Sequence, residues 1–218
     1  MQELAIVNNL DLPIGFPVSF QEVREVHMLY TCAMREVRVK LENLNHEFEM
    51  EKSRNPIQHI KQRIKDPESI RKKMLRMNLP LEYDRMKKEI LDIAGVRVIC
   101  SYVDDIYAIA DMLVQQDDIT TIRTKDYIAN PKPNGYRSFH LIVMVPIFLS
   151  NKKQMIPVEI QMRTIAMDFW ACLEHQLQYK TSSAISGPIR NQLKDIAEKI
   201  FDADMEMQQI YQQISSLA

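Results

Sequence analysis

The stretch 126–140, DYIANPKPNGYRSFH, limits the possible folds more than any other part of the chain. Pro131 and Pro133 fix φ and remove backbone donors, so residues 130–134 are expected to run as an extended, non-helical loop. Asn134 and Gly135 both tolerate positive φ and read as a turn. The run YRSFHLIVMVP that follows predicts a strand over 136–145, in which Tyr136, Ser138 and His140 share one face at period two. A stiff loop feeding a buried strand delivers Lys132, Tyr136 and His140 towards one place.

The rest of the pattern builds a sheet around that strand. IAGVRVICSY (93–102) is β-branched and apolar and predicts a buried strand; 119–125 and 155–163 predict two more. A long amphipathic helix is expected over 20–51, striped by Phe20, Val23, Met28, Leu29, Met34, Val37, Leu41, Leu44 and Phe48. Asn55-Pro56 is expected to open a short helical segment. Asp66 then caps a second helix with Pro67 in its first turn, ending near Asn78. Further helices are expected over 82–91, 104–116, 165–180 (packed through Ile165, Phe169, Trp170, Leu173 and Leu177) and 188–216. The expected fold is α+β, a mixed sheet of four to five strands surrounded by helices. One domain spans 1–218, with a core of about 55–180 and helical extensions at 20–51 and 188–216.

Composition narrows the function. A net charge of −1 argues against an indiscriminate DNA binder. No basic leader precedes an apolar run and no apolar run reaches the length of a membrane span, so a cytoplasmic protein is expected. Three cysteines without a CxxC suggest neither a disulfide framework nor a zinc ribbon. With only four glycines and neither GxxxxGK[ST] nor GxGxxG, no glycine-rich phosphate cradle is available, so phosphates would have to be held by side chains.

Side chains for that purpose cluster in 61–76, where seven basic residues stand against Asp66 and Glu68. Ser69, Lys73 and Arg76 share one helix face, with Arg63 and Lys65 just before it; a solvated helix face is the bland alternative. PVEIQMRT alternates, with Val158, Ile160 and Met162 inward and Glu159, Gln161 and Arg163 on the other face. Asp92 precedes the IAGVRVI strand as a second acid, and two carboxylates on neighbouring strand ends suit Mg²⁺ beside substrate phosphates. Arg97 stands where its guanidinium plane can stack on a base.

The order of a basic helix, DIAGVRVI, KDYIANPKPNGYRSFH, VEIQMRT and a helix carrying EHQLQYK resembles the small alarmone synthetases. These are the single-domain relatives of the synthetase region in the long RelA/SpoT stringent-response enzymes. The resemblance runs from about residue 55 to 180 and implies a nucleotidyltransferase-like synthetase fold. It also implies an activity: transfer of the β,γ-diphosphate of ATP to the 3′-hydroxyl of GTP or GDP, releasing AMP. In this chain Arg63 and Arg97 would hold the adenine, and Lys65, Ser69, Lys73 and Arg76 the ATP phosphates. Asp92 and Glu159 would hold Mg²⁺, with Glu159 also facing the acceptor hydroxyl. Tyr136 would stack on guanine, Lys125, Lys132 and His140 would meet the acceptor's 5′-phosphates, and Asn134, Gln161 and Arg163 would support them. The resemblance further implies a homo-oligomer, a tetramer.

No histidine is followed by Asp, so no HDxxED-type hydrolase pair is present and synthesis without hydrolysis is expected. Other readings stay open on the residues alone. One is a nucleotidyl transfer releasing pyrophosphate, although Asp104-Asp105 is adjacent rather than alternating. Another is a silent nucleotide sensor or single-stranded RNA binder using Tyr136 and Phe139. A third is a zinc site from His140, Glu174 and His175.

Overall fold

The computed structural model describes residues 20–52, 54–180 and 187–217, so the outer parts of the expected 1–218 domain, including 1–19, lie outside the described residues. The elements are α1 (Phe20–Lys52), β1 (Ile57–Ile64), α2 (Pro67–Arg76), α3 (Tyr83–Glu89), β2 (Ala94–Cys100), α4 (Val103–Val114), β3 (Thr120–Asp126), β4 (Phe139–Phe148), β5 (Lys153–Thr164), α5 (Ile165–Lys180) and α6 (Gly187–Ser215). Five strands form one sheet in the order β1-β2-β5-β4-β3. Only β2 and β5 run parallel; every other pair is antiparallel, so the sheet is mixed and the α+β expectation holds.

One face of the sheet is apolar. Val96 and Val98, Ile160 and Met162, and Leu141, Val143 and Val145 are buried there and join the core formed by α1 and α4. α1 contributes Leu29, Val37 and Leu41, all fully buried, together with Tyr30 and Ala33. Met28, expected on that stripe, is instead 42% exposed.

Two expectations are corrected. Residues 57–64 form an edge strand, not a short helix. Ile57, Ile60 and Ile64 have the spacing of a helix face, but a bulge between Ile57 and His59 shifts the strand phase and produces that spacing within a β ladder. The Asn45 side chain accepts the Ile57 N–H at 2.9 Å and anchors the strand's start. On α5 the most apolar stripe is not the packed one. Ile165, Phe169, Leu173 and Leu177 are 44–58% exposed, while Met167, Trp170 and Ala171 face inward. The helix is rotated this way because the Thr164 hydroxyl accepts the Met167 N–H at 3.1 Å and the Trp170 indole donates to the Leu193 carbonyl of α6 at 2.9 Å.

α2 starts as its sequence requires. Asp66 accepts the Ser69 N–H at 2.8 Å and the Ser69 hydroxyl at 2.7 Å, Pro67 opens the first turn, and Asn78 leaves the helix with φ 53°.

α6 closes over the loop between β3 and β4. Asp204 of α6 accepts the Thr164 hydroxyl at 2.5 Å, and burial raises the Asp204 carboxyl above the usual range. Arg54 grips Asp105 with two hydrogen bonds of 2.8 and 2.5 Å and donates to the Tyr211 hydroxyl at 2.7 Å, tying both ends of the helical frame to α4. β4 begins at Phe139, three residues later than the pattern suggests, because β3 ends where Asp126 pairs with Phe139. Residues 127–138 therefore form the loop, and Gly135 takes φ 89° there, against α6. A Cβ at Gly135 would lie 2.6 Å from the Cβ of Ala197. Gly135→Ala is thus expected to cost about 1–3 kcal/mol through overpacking and backbone strain. A thermal melt of the variant should fall by several degrees; an unchanged Tm would contradict this packing.

Candidate active site

The other face of the sheet carries two polar rows. Strand register places Lys61, Arg97, Gln161, His140 and Lys125 directly across β1, β2, β5, β4 and β3. The neighbouring row is Arg63, Gly95, Glu159 and Ile142. Residues directly opposite in a ladder point to the same side, so sheet pairing alone brings these groups together. Gly95 puts no side chain between Arg63 and Glu159, which leaves the floor open. Over it lies a cleft of about 440 Å³ lined by Lys61, Arg63, Lys65, Asp92, Gly95, Arg97, Glu159 and Gln161, among others.

Asp92 stands at the mouth of β2 between two cations. Lys65 bonds its Oδ2, and the Lys73 ammonium lies 2.7 Å from the same oxygen. Burial pushes the Asp92 carboxyl up, but these lysines outweigh it and hold it below the usual carboxylate range. The other oxygen, Oδ1, is buried and has no hydrogen-bond partner. Glu159 accepts from the Gln161 amide at 2.8 Å and lies 3.5 Å from His140 Nδ1. Burial raises its carboxyl, and nearby Asp92 does too, yet the His140 and Gln161 hydrogen bonds bring it below the ordinary value. Both acids are therefore carboxylates at neutral pH.

A second cluster of side chains lies at the loop end of the rows. The Tyr136 hydroxyl accepts from Arg163 at 2.7 Å and is 2.9 Å from His140 Nε2. The Tyr127 ring meets Tyr136 and His140 edge-on, and the Lys132 ammonium sits 4.7 Å and 4.5 Å from the Tyr127 and Tyr136 ring centres. Asn134 accepts the Tyr136 N–H at 3.2 Å and donates to Glu174 of α5 at 3.1 Å. A flat aromatic with a nearby cation is a stacking platform for a base.

Most of the residues singled out from the sequence converge. Arg63, Lys65, Asp92, Arg97, Glu159 and Gln161 line one cleft; Lys132, Asn134, Tyr136, His140 and Arg163 form the adjoining side-chain cluster; Lys73 reaches Asp92 from α2. Ser69 spends its hydroxyl on the helix cap, Arg76 is exposed at the end of α2, and Lys125 is exposed at the outer end of its row. The zinc alternative does not form. His140 is engaged by Tyr136 and Glu159, Glu174 by Asn134, and among the described residues no group of three or more His, Cys, Asp or Glu could hold a metal ion.

The sequence marks Lys61 only as a member of the basic cluster 61–76 and assigns no role to Tyr127 or Asp168. The helical reading of the segment after Pro56 obscures the place of Lys61 in the sheet row, and Tyr127, inside the 126–140 motif, meets Tyr136 and His140 only through the folded path of the loop. Asp168 accepts from Arg163 at 3.0 Å and lies 3.5 Å from Arg97. The one available signal was a lone acid in an otherwise apolar helix start, IAMDFWA.

Residues 62–184, more than half of the chain, match the family described as a region found in RelA/SpoT proteins. The chain is 42% identical over 180 residues to the GTP pyrophosphokinase YwaC of Bacillus subtilis, covering 83% of this chain and 86% of that protein. It is 39% identical to the GTP pyrophosphokinase YjbM of the same organism, covering 83% and 84%. Among solved structures it is similar to the B. subtilis small alarmone synthetase 2, with a TM-score of 0.80 at 38% identity over 88% of this chain and 99% of that one. Small alarmone synthetase 1, solved bound to its product pppGpp, gives a TM-score of 0.78 at 37% identity over 85% and 94%. The chain belongs to the RelA/SpoT synthetase family, alongside the small alarmone synthetases.

Proposed function

We propose that this protein is a (p)ppGpp synthetase that moves the β,γ-diphosphate of ATP onto the 3′-hydroxyl of GTP or GDP and releases AMP. The observation that carries this is a polar sheet face divided into two compartments. One is rich in arginine and lysine around Asp92, the other is aromatic around Tyr136, and Glu159 lies between them. Two nucleotides fit such a division, and the pppGpp found in the related synthetase 1 is the product expected when GTP receives a diphosphate and AMP leaves.

Diphosphate transfer asks little covalent chemistry of a protein; it needs alignment and charge neutralisation. In our reading Arg63 and Arg97, on neighbouring strands, hold the adenine between them. Lys65 and Lys73 already stand at the carboxylate where phosphates approach and pass to phosphate oxygens when ATP binds. Arg76 and Ser69 extend that set along α2, with Ser69 sharing its hydroxyl between cap and ligand. Tyr136 stacks on the guanine. Lys125, Lys132 and His140 take the acceptor's 5′-phosphates, and Asn134 and Gln161 fix the loop and the Glu159 carboxylate. Glu159, ionised and hydrogen-bonded, is a weak base; its role is to accept the 3′-hydroxyl proton in a hydrogen bond and aim the oxygen.

Asp92 and Glu159 also suit a divalent cation, and the buried, unpartnered Asp92 Oδ1 supports that fit. Mg²⁺ bound there supplies positive charge to the transferred phosphates.

A homo-oligomer, a tetramer, is part of the same proposal. The apolar stripe of Ile165, Phe169, Leu173 and Leu177 left exposed on α5 supports it, since such faces are normally covered. Among the described residues no helix is long and apolar enough to cross a membrane. Both substrates are cytoplasmic nucleotides, and the enzyme is placed with them.

Glu159→Gln is expected to bind ATP and GTP within about threefold of wild type and to lose synthesis by at least about a hundredfold, consistent with removal of one charged contact made at the reacting centre. Turnover and equilibrium binding measured side by side check this, and a fully active variant would remove Glu159 from the reaction. Tyr136→Ala removes a stacking contact of about 1–3 kcal/mol and should raise the acceptor KM roughly 5- to 150-fold while moving the ATP KM far less. An unchanged acceptor KM would put the guanine elsewhere.

A further inference from the structure

We infer that Asp168 is a positioning residue that sets the donor and acceptor subsites together, an inference resting on the reading of Arg97 as the adenine contact and Tyr136 as the guanine contact. Asp168 lies in the first turn of α5, where the helix dipole favours a carboxylate, and its side chain is only 12% exposed. A single oxygen, Oδ1, meets two guanidinium groups from neighbouring strands: Arg163 NH1 at 3.0 Å and Arg97 NH1 at 3.5 Å.

The two branches lead to different compartments. Arg163, 6% exposed, passes the constraint on through its NH2 to the Tyr136 hydroxyl at 2.7 Å, and Tyr136 in turn meets His140, which faces Glu159. Arg97 opens directly onto the donor cleft. Asp168 touches Arg97 at one terminal nitrogen and so restrains the tip of the guanidinium beside the cleft. The Nε atoms of both arginines are buried without a hydrogen-bond partner, so neither guanidinium is anchored through that atom. Arg163 is buried and Arg97 partly buried, and a guanidinium withdrawn from water is disfavoured when it loses its counter-charge and relocates. Removing the Asp168 charge therefore releases Arg97 and Arg163 together, and both bases lose their platforms in one step. Neither nucleotide need touch Asp168 for this to happen.

The test uses the full chain and two probes, AMPCPP for the donor site and GDP for the acceptor site, titrated by calorimetry with turnover and Tm recorded alongside. Asp168→Asn is expected to weaken both probes at least fivefold, with KM for both substrates rising more than kcat falls. Arg163→Gln is expected to weaken GDP at least fivefold and leave AMPCPP within twofold, because Asp168 still holds Arg97. Asp168→Glu keeps the charge and the fold but moves the shared oxygen by one methylene, so it serves if the Asn variant does not fold; both affinities should fall together, at least threefold. Loss of only one affinity, or of neither, in a folded Asp168 variant overturns the inference. Wild-type turnover keeps the two readings apart. A wild type that binds both probes but makes no product refutes the synthetase reading, while the paired affinity loss still decides the role of Asp168.

Discussion

The parallel pairing of β2 with β5 is the constraint on which the rest of this structure depends. It sets Gly95 beside Glu159 and Arg97 beside Gln161, and the flanking antiparallel pairs extend those positions to Arg63 and Lys61 on one side and His140 on the other. A slip of one residue would turn every one of these side chains into the core and bring valines and isoleucines to the cleft. Register is secured by the opposite face, where Val96, Val98, Ile160 and Met162 are buried against α1 and α4. The hydrophobic effect thus places the charges, although no charge takes part in it. The site costs the fold little because its acids are compensated locally: Asp92 by two lysines, Glu159 by Gln161 and His140.

The helices do a different job. α2 presents Lys73 to Asp92, α5 presents Asp168 and Glu174 to the arginines and the β3–β4 loop, and α6 presses on that loop at Gly135. The apolar cluster of Trp170, Ala171 and Ala197, against which Tyr136 packs, couples the loop to both C-terminal helices. Arg137 adds to this by donating to the Ile128 carbonyl at 2.8 Å and lying 3.9 Å from the centre of the Phe201 ring. Tyr136 is held by tertiary packing as much as by its own loop.

What could be read beforehand follows from how local the physics is. The Asp66 cap, the Pro67 start, the positive φ of Gly135 and the alternation of Glu159, Gln161 and Arg163 are short-range properties, and each is found where the pattern placed it. β1 was misread because a bulge gave its isoleucines helical spacing, and a bulge leaves no mark in composition. On α5 the apolar stripe pointed to the wrong face, because capping by Thr164 and the Trp170–Leu193 bond set the rotation. Asp168 and Tyr127 escaped notice because their roles consist wholly of contacts between segments distant in sequence. Patterns alone group the site residues by charge; the roles proposed for them come from the family resemblance.

The central claim is that two phosphates move as one unit from the donor to a guanosine hydroxyl. It is tested most directly with ATP labelled at the β-phosphate, incubated with Mg²⁺ and GTP or GDP. The label should move to a guanosine penta- or tetraphosphate in step with the formation of unlabelled AMP. Label retained in ADP, or no label on the guanosine nucleotide, would contradict the account.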